Sequence, residues 1–210
     1  GYIFHRSAVN SAPVLSIAII LDAENAEYTA LFMNILRQIC QYDYPDTLTA
    51  EKEPANASAC VLANLHMIIE SMTRQTILEH DLYNMLKHAR VIREDCYINN
   101  YDDALRLVLI QHHKIMSPAE GARFLGIGAH RWAFFKKIEP PKDAPGGVLQ
   151  FQIPMIAYMK ARQHAVLLTT MLVNEAGAME YQAIDPKYRG EKARTTIYKP
   201  GDFTKYATFT

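Results

Sequence analysis

Apolar residues return at three- and four-residue steps through most of the first 115 positions, and this period constrains the chain more than any other feature. Tyr28, Leu31, Phe32, Ile35, Leu36 and Ile39 share one face of a predicted helix over 23–42. Asp22 can cap that helix, with Glu24 and Glu27 at its positive end. Val61, Leu62, Leu65, Ile68, Ile69 and Met72 predict a second helix over 58–73. Ile77, Leu78, Leu82, Met85 and Leu86 predict a third over 76–90. Leu105, Val108, Leu109 and His112 predict a fourth over 102–115, opened by Asp102 or Asp103. Residues 14–21 form either a short buried strand or the lead-in to the first helix. The chain has 210 residues, half of them hydrophobic and about a fifth charged, so it can bury a core without disulfide or metal staples. The first expectation is a helical region over 1–115.

The formal net charge is zero, but it is unevenly spread. Residues 1–110 carry 8 Lys and Arg against 14 Asp and Glu, a net −6; residues 111–165 carry 8 against 3, a net +5; residues 166–210 carry 6 against 5. A basic module after an acidic one points to an anionic partner, or to two halves that attract each other. The longest apolar run, Val14 to Leu21, is far below the ~20 residues of a bilayer span, so no membrane segment is expected. Cys40, Cys60 and Cys96 are odd in number and widely spaced, which suits free thiols in a reducing compartment. The expected location is cytoplasmic.

From 117 the texture changes. Ser117-Pro118-Ala119-Glu120 is a helix start, with a capping Ser, Pro at the first helical position and Glu completing the capping box. A short helix through Phe124 leads to Leu125-Gly126-Ile127, where Gly126 suits a tight turn. A second helix is expected over 129–137, then a turn-rich stretch ending in Gly146-Gly147, a strand Val148-Leu149-Gln150-Phe151, and a long helix over 154–176 started by Pro154 and stopped by Gly177. Residues 178–210 are Tyr-rich and weakly periodic, reading as an extended arm with a strand near Thr195–Tyr198.

The order helix, tight turn, helix, glycine-tipped wing, strand, helix over 116–162 resembles the winged helix-turn-helix of MerR-like and excisionase-like DNA-binding domains. The resemblance implies that the second helix enters the major groove. His130 and Arg131 would then face base edges, and Lys136, Lys137 and Lys142 would meet phosphates. The wing departs from the pattern: Val148-Leu149-Gln150 stand where the family commonly has arginines, which weakens the phosphate clamp. The other reading of Gly126 is a plain helical hairpin.

Catalytic motifs are sparse. His80-Asp81, with His66 upstream, is the only trace of a metal phosphohydrolase, and a solvated helix face explains it better. His112-His113 would point about 100° apart on a helix and make a poor chelate. No glycine-rich phosphate loop or nucleophile elbow is present. Cys40, Cys60 and Cys96 could each serve as a nucleophile only with a base close in space, which a sequence does not show. The sequence-based expectation is therefore a mainly α protein: a helical region (1–115), a winged helix-turn-helix module (116–162), and a C-terminal helix with an extended arm (163–210). Its expected role is that of a non-enzymatic, cofactor-free DNA-associated adaptor or regulator, and the resemblance alone implies a mobile element, phage or plasmid as its context. Double-stranded DNA and a protein partner or second copy are the expected partners. The alternatives are a structural subunit of a larger assembly and, third, the metal phosphohydrolase.

Overall fold

The computed structural model describes residues 2–4, 17–20, 35–45, 55–113, 126–140 and 147–210. Its frame is an eight-stranded antiparallel sheet: β1 (Tyr2–Phe4), β2 (Ile17–Ile20), β3 (Trp132–Phe135), β4 (Gly147–Met159), β5 (Ala165–Val173), β6 (Met179–Ile184), β7 (Ile197–Tyr198) and β8 (Phe203–Phe209). Strand β4 is the hub. One edge pairs with β5 along both halves; the other pairs first with β2 and then with β8. Between those halves the register with β5 jumps from Gln150↔Thr170 to Met155↔Leu168, so four residues of β4 face the single Thr169. Pro154 sits in this irregularity, where its missing N–H costs no ladder bond, and its carbonyl accepts the buried Thr208 hydroxyl at 2.9 Å.

Three helices pack over one face: α1 (Cys60–Thr73), α2 (Glu79–His88) and α3 (Tyr101–His113). Twelve of the fourteen residues of α1 are buried, so it is a central helix rather than a surface one. Leu62, Leu65, Ile68 and Ile69 join Leu82 and Leu86 of α2, Leu105 and Val108 of α3, and Ile156, Ala165, Leu167 and Phe209 of the sheet in one core. A second core lies on the opposite face, where Leu149, Met155, Val166 and Leu168 meet Tyr181, Tyr198, Phe203 and Tyr206. Three sequence-predicted helices, over 58–73, 76–90 and 102–115, correspond to α1, α2 and α3.

The mainly α expectation is overturned by the sheet. Trp132–Phe135, placed in the second helix of a helix-turn-helix, form β3, and 148–151 belong to the long strand β4 rather than to a small wing. The predicted helix over 154–176 is the second half of β4, a hairpin turn and β5. The C-terminal arm is threaded into the sheet as β6, β7 and β8. Residues 165–173 are almost all buried on both faces, and a run that is apolar on both faces fits a helical period as readily as a strand. Residues 35–45, expected to end a helix, form irregular chain and a 3-10 turn at Gln41–Asp43, held by tertiary bonds described below. The predicted first helix of the module, Ser117 to Phe124, lies outside the described residues.

Candidate active site

The antiparallel pairing of β5 with β6, with Leu167 opposite Ile184, brings the start of one strand beside the end of the other. His164 immediately precedes β5 and Asp185 immediately follows β6. Both side chains are nearly buried, and His164 Nε2 donates to Asp185 Oδ1 at 2.6 Å. The β4–β5 turn fixes the histidine backbone: Met159 N–H donates to His164 O at 2.9 Å, and His164 N–H to Arg162 O at 2.8 Å. The aspartate is fixed in turn. Its Oδ1 also accepts the Lys187 N–H at 2.9 Å, its own N–H donates to Ala193 O at 2.8 Å, and Arg162 Nη2 stands 3.6 Å from Oδ2.

Helix α1 points its first residue at this pair. The 3-10 turn Ala55–Ser58 feeds into it, closed by the Ala59 N–H to Asn56 O bond at 3.2 Å. Cys60 follows at the helix start, 9% exposed, and its thiol lies near enough to His164 to help raise the histidine's pKa. With Nε2 committed to Asp185, Nδ1 is the ring nitrogen left for the sulfur. Burial works against a charged His164, but the bond to Asp185 and the nearby Cys60 overcome it and hold the imidazole up to about 9. Burial likewise opposes the Asp185 carboxylate, and His164, the Lys187 N–H and Arg162 together keep its pKa below the ordinary aspartate range. A negative charge at the start of α1 is further stabilised by the helix dipole, whose first N–H groups have no partner within the helix.

Gln41 ties the thiol side to the aspartate side. Its backbone N–H donates to Pro186 O at 2.8 Å, and its buried Nε2 donates to Ala57 O at 2.9 Å and Asn56 O at 3.3 Å. Its Oε1 is buried without a partner. A second polar cluster lies further along α1. Arg37 grips Glu70 through Nε and Nη2 at about 3.1 Å, pairs with Glu79, and donates to Ile77 O at 2.6 Å. Glu70 also accepts the Ile77 N–H at 2.8 Å. His66 Nε2 donates to the same Ile77 carbonyl at 2.7 Å, which leaves Nδ1 to accept the Tyr44 hydroxyl at 2.8 Å.

The structure scatters the residues singled out for other chemistry. Both ring nitrogens of His66 are occupied, so it has no lone pair for a metal, while His80 lies on α2 bonded to Asn84 at 3.0 Å. Among the described residues no cluster of three His, Cys, Asp or Glu is arranged to hold a metal. His130 and Arg131 precede β3, and Lys136 and Lys137 follow it; none lies on a recognition helix. Arg131 turns its guanidinium back onto Gly128 O and His130 O, at 2.7 and 2.8 Å, and Lys137 pairs with Glu139 at 2.6 Å. Lys142 lies outside the described residues.

The residues that do converge, Cys60, His164 and Asp185, were not joined by the sequence reading. Usable signals were present: a cysteine opening an apolar helical stretch, a histidine directly before a nine-residue strand, and an aspartate followed by proline at the end of the next strand.

No family model and no curated protein matches the chain. Among solved structures it is similar to one described as the crystal structure of UfSP from C. elegans, with a TM-score of 0.32 and 8% identity, over 77% of this chain and 31% of that one. A likeness this slight carries no argument about fold or function. Among the described residues no helix is long and apolar enough to cross a membrane.

Proposed function

We propose that the protein is a thiol hydrolase that cleaves an acyl bond of the amide class, with Cys60 as nucleophile, His164 as general acid and base, and Asp185 orienting the imidazole. The observation that carries this is the bonded His164–Asp185 pair, with the Cys60 side chain at the start of α1 near enough to the same imidazole to raise its pKa. The three-membered arrangement of nucleophile, base and orienting carboxylate recurs on unrelated folds, and geometry rather than sequence position identifies it.

The sulfur attacks the substrate carbonyl carbon, and the carbonyl π electrons move onto oxygen. The first N–H groups of a helix have no partner within it, and those at the start of α1 would stabilise a negative oxygen formed beside Cys60. His164 gives its Nδ1 proton to the leaving nitrogen as the C–N bond breaks, leaving a thioester on Cys60. Neutral His164 then takes a proton from water. The resulting hydroxide equivalent attacks the thioester, and the acid product leaves as sulfur regains its electron pair. Asp185 keeps Nε2 protonated throughout and stabilises the imidazolium. The described cysteines are free thiols, which fits the cytoplasmic location expected from sequence.

This reading departs from the non-enzymatic expectation, and alkylation tests it. Iodoacetamide should label Cys60 at neutral pH at least tenfold faster than the buried Cys40 and Cys96, and His164→Gln should remove that advantage. Peptide mapping by mass spectrometry reads the site. Equal labelling of the three cysteines, or a rate indifferent to His164, would overturn it. A nucleic-acid role keeps one supporting observation: Arg131, Lys136 and Lys205 are exposed along the β3–β8 pair. Duplex binding with a steep salt dependence, lost in Lys136→Ala with Lys205→Ala, is its test.

A further inference from the structure

The loop that follows Asp185 is strongly basic. Residues 186–194 carry Lys187, Arg189, Lys192 and Arg194 against the single acid Glu191. The loop folds back onto the aspartate: the Tyr188 N–H donates to Asp185 O at 3.1 Å, and the Asp185 N–H to Ala193 O at 2.8 Å. Its other side is tied to the segment that braces the approach to Cys60. Pro186 O accepts the Gln41 N–H, Gly190 O accepts Gln38 Nε2 at 3.3 Å, and Arg189 pairs with Asp43 at 2.6 Å. Gln41 in turn donates to Ala57 O, three residues before the nucleophile. The β4–β5 turn adds Lys160 and Arg162, both exposed, and Arg162 Nη2 stands 3.6 Å from Asp185 Oδ2. Loop and turn thus meet at the His164–Asp185 pair, and both bring positive charge to it.

Two of these cations are gathered about one ring. Lys192 Nζ stands 4.5 Å from the Tyr188 ring centroid and Lys187 Nζ stands 6.0 Å from it. Both lysines are exposed, and among the described residues neither forms an ion pair. Arg189 and Arg194, by contrast, are engaged with Asp43 and Gln38. Like charges held about one ring repel each other, and a carboxylate arriving beside them offsets that repulsion and is attracted by both.

We infer that this surface receives an acidic segment of the peptide substrate, with Asp or Glu side chains near the scissile amide meeting Lys187 and Lys192 while Arg162 adds to the field. The inference rests on the assignment of Cys60 as nucleophile. The cations are grouped on one loop and one turn, which matches a few carboxylates. A duplex needs contacts spread over many phosphates. Charge of one sign around a cleft raises the local concentration of an oppositely charged substrate and speeds its arrival, and salt weakens the effect.

Tetrapeptides of Glu or of Gln, carrying an iodoacetyl group at either end, test it by their rates of alkylating Cys60. The better Glu probe should react roughly tenfold faster than its Gln counterpart at low salt, and the ratio should approach unity in about 0.5 M NaCl. Lys192→Glu should cut the low-salt ratio roughly threefold or more, and Lys192→Arg should keep it. Plain iodoacetamide should label Cys60 at the same rate in both variants, and Lys192 is exposed, so neither substitution empties the core. Equal rates for Glu and Gln probes, or a preference indifferent to Lys192→Glu, would overturn the acidic-substrate surface while normal iodoacetamide labelling leaves the triad standing. An oligonucleotide that blocks the Glu probe where acetylated tetra-Glu amide does not would assign the surface to nucleic acid and overturn the inference as well. A Cys60 inert to every probe would overturn both the surface and the triad.

Discussion

Glu70 shows how much one side chain can hold. It is fully buried on α1, yet it receives Arg37, the Ile77 N–H and the neighbourhood of His66 at 3.4 Å. Burial alone would lift its pKa, and these donors together bring it below the ordinary value. Arg37 is 29% exposed, so solvent screens part of the attraction. Glu70→Gln should cost about 1–3 kcal/mol in chemical denaturation, because it removes the buried carboxylate that accepts from both Arg37 and the Ile77 N–H and leaves the guanidinium to Glu79 and Ile77 O alone. The sign with pH follows from the lowered pKa. The carboxylate's contribution is full above about 4.5, the unfolded value, and fades as pH falls through the lower folded value. The gap between wild type and Glu70→Gln should therefore narrow in acid; a gap constant from pH 7 to pH 3 would contradict it. None of this was legible in sequence, where Arg37 sat in a predicted helix and Glu70 was one polar residue in an apolar run. Their meeting depends on chain that returns from more than thirty residues away.

At the level of elements, the irregularity in β4 does structural work that a propensity reading misses. It lets one strand serve β2 and then β8 on the same edge. The Thr208 hydroxyl that satisfies Pro154 O is buried. Thr208→Val keeps the shape and removes the donor, so it should cost about 1–3 kcal/mol, more than an exposed Thr204→Val on the same strand. Equal losses at the two positions would remove the case for a specific bond. On α1, Leu65→Ala should cost about 2–5 kcal/mol, since Leu65 is fully enclosed between the other helices and the sheet. The three helices were readable because each turns one side to a shared core at a 3.6-residue period. The strands were not. Residues 165–173 are buried on both faces and lose their alternation, and Pro154, read as a helix start, instead marks a break in a strand. The same error hid the site. Reading 154–176 as one helix placed His164 mid-helix, when it actually stands at a strand mouth facing Asp185.

Across the whole molecule, one ion pair links stability to chemistry. His164 and Asp185 hold together the ends of β5 and β6, and the same imidazole is the general base proposed for Cys60. The histidine is raised to about 9 in the fold from an ordinary 6.5. Its contribution to stability is thus full below 6.5 and is lost as pH rises through about 9. Leaving-group protonation needs the same proton, so turnover of an amide substrate should decline over the same range. Alkylation by iodoacetamide, which needs no proton donor, should show no such decline. Asp185→Asn withdraws the anion while preserving the shape, so the alkaline limb of turnover should move to lower pH and the pH-dependent part of stability should shrink with it. Paired denaturation and turnover profiles of wild type and Asp185→Asn from pH 6 to pH 10 measure both quantities on one protein. If the two limbs shift together, a single titration governs fold and catalysis; a turnover limb that stays in place while stability changes would mean that the catalytic proton resides elsewhere than His164.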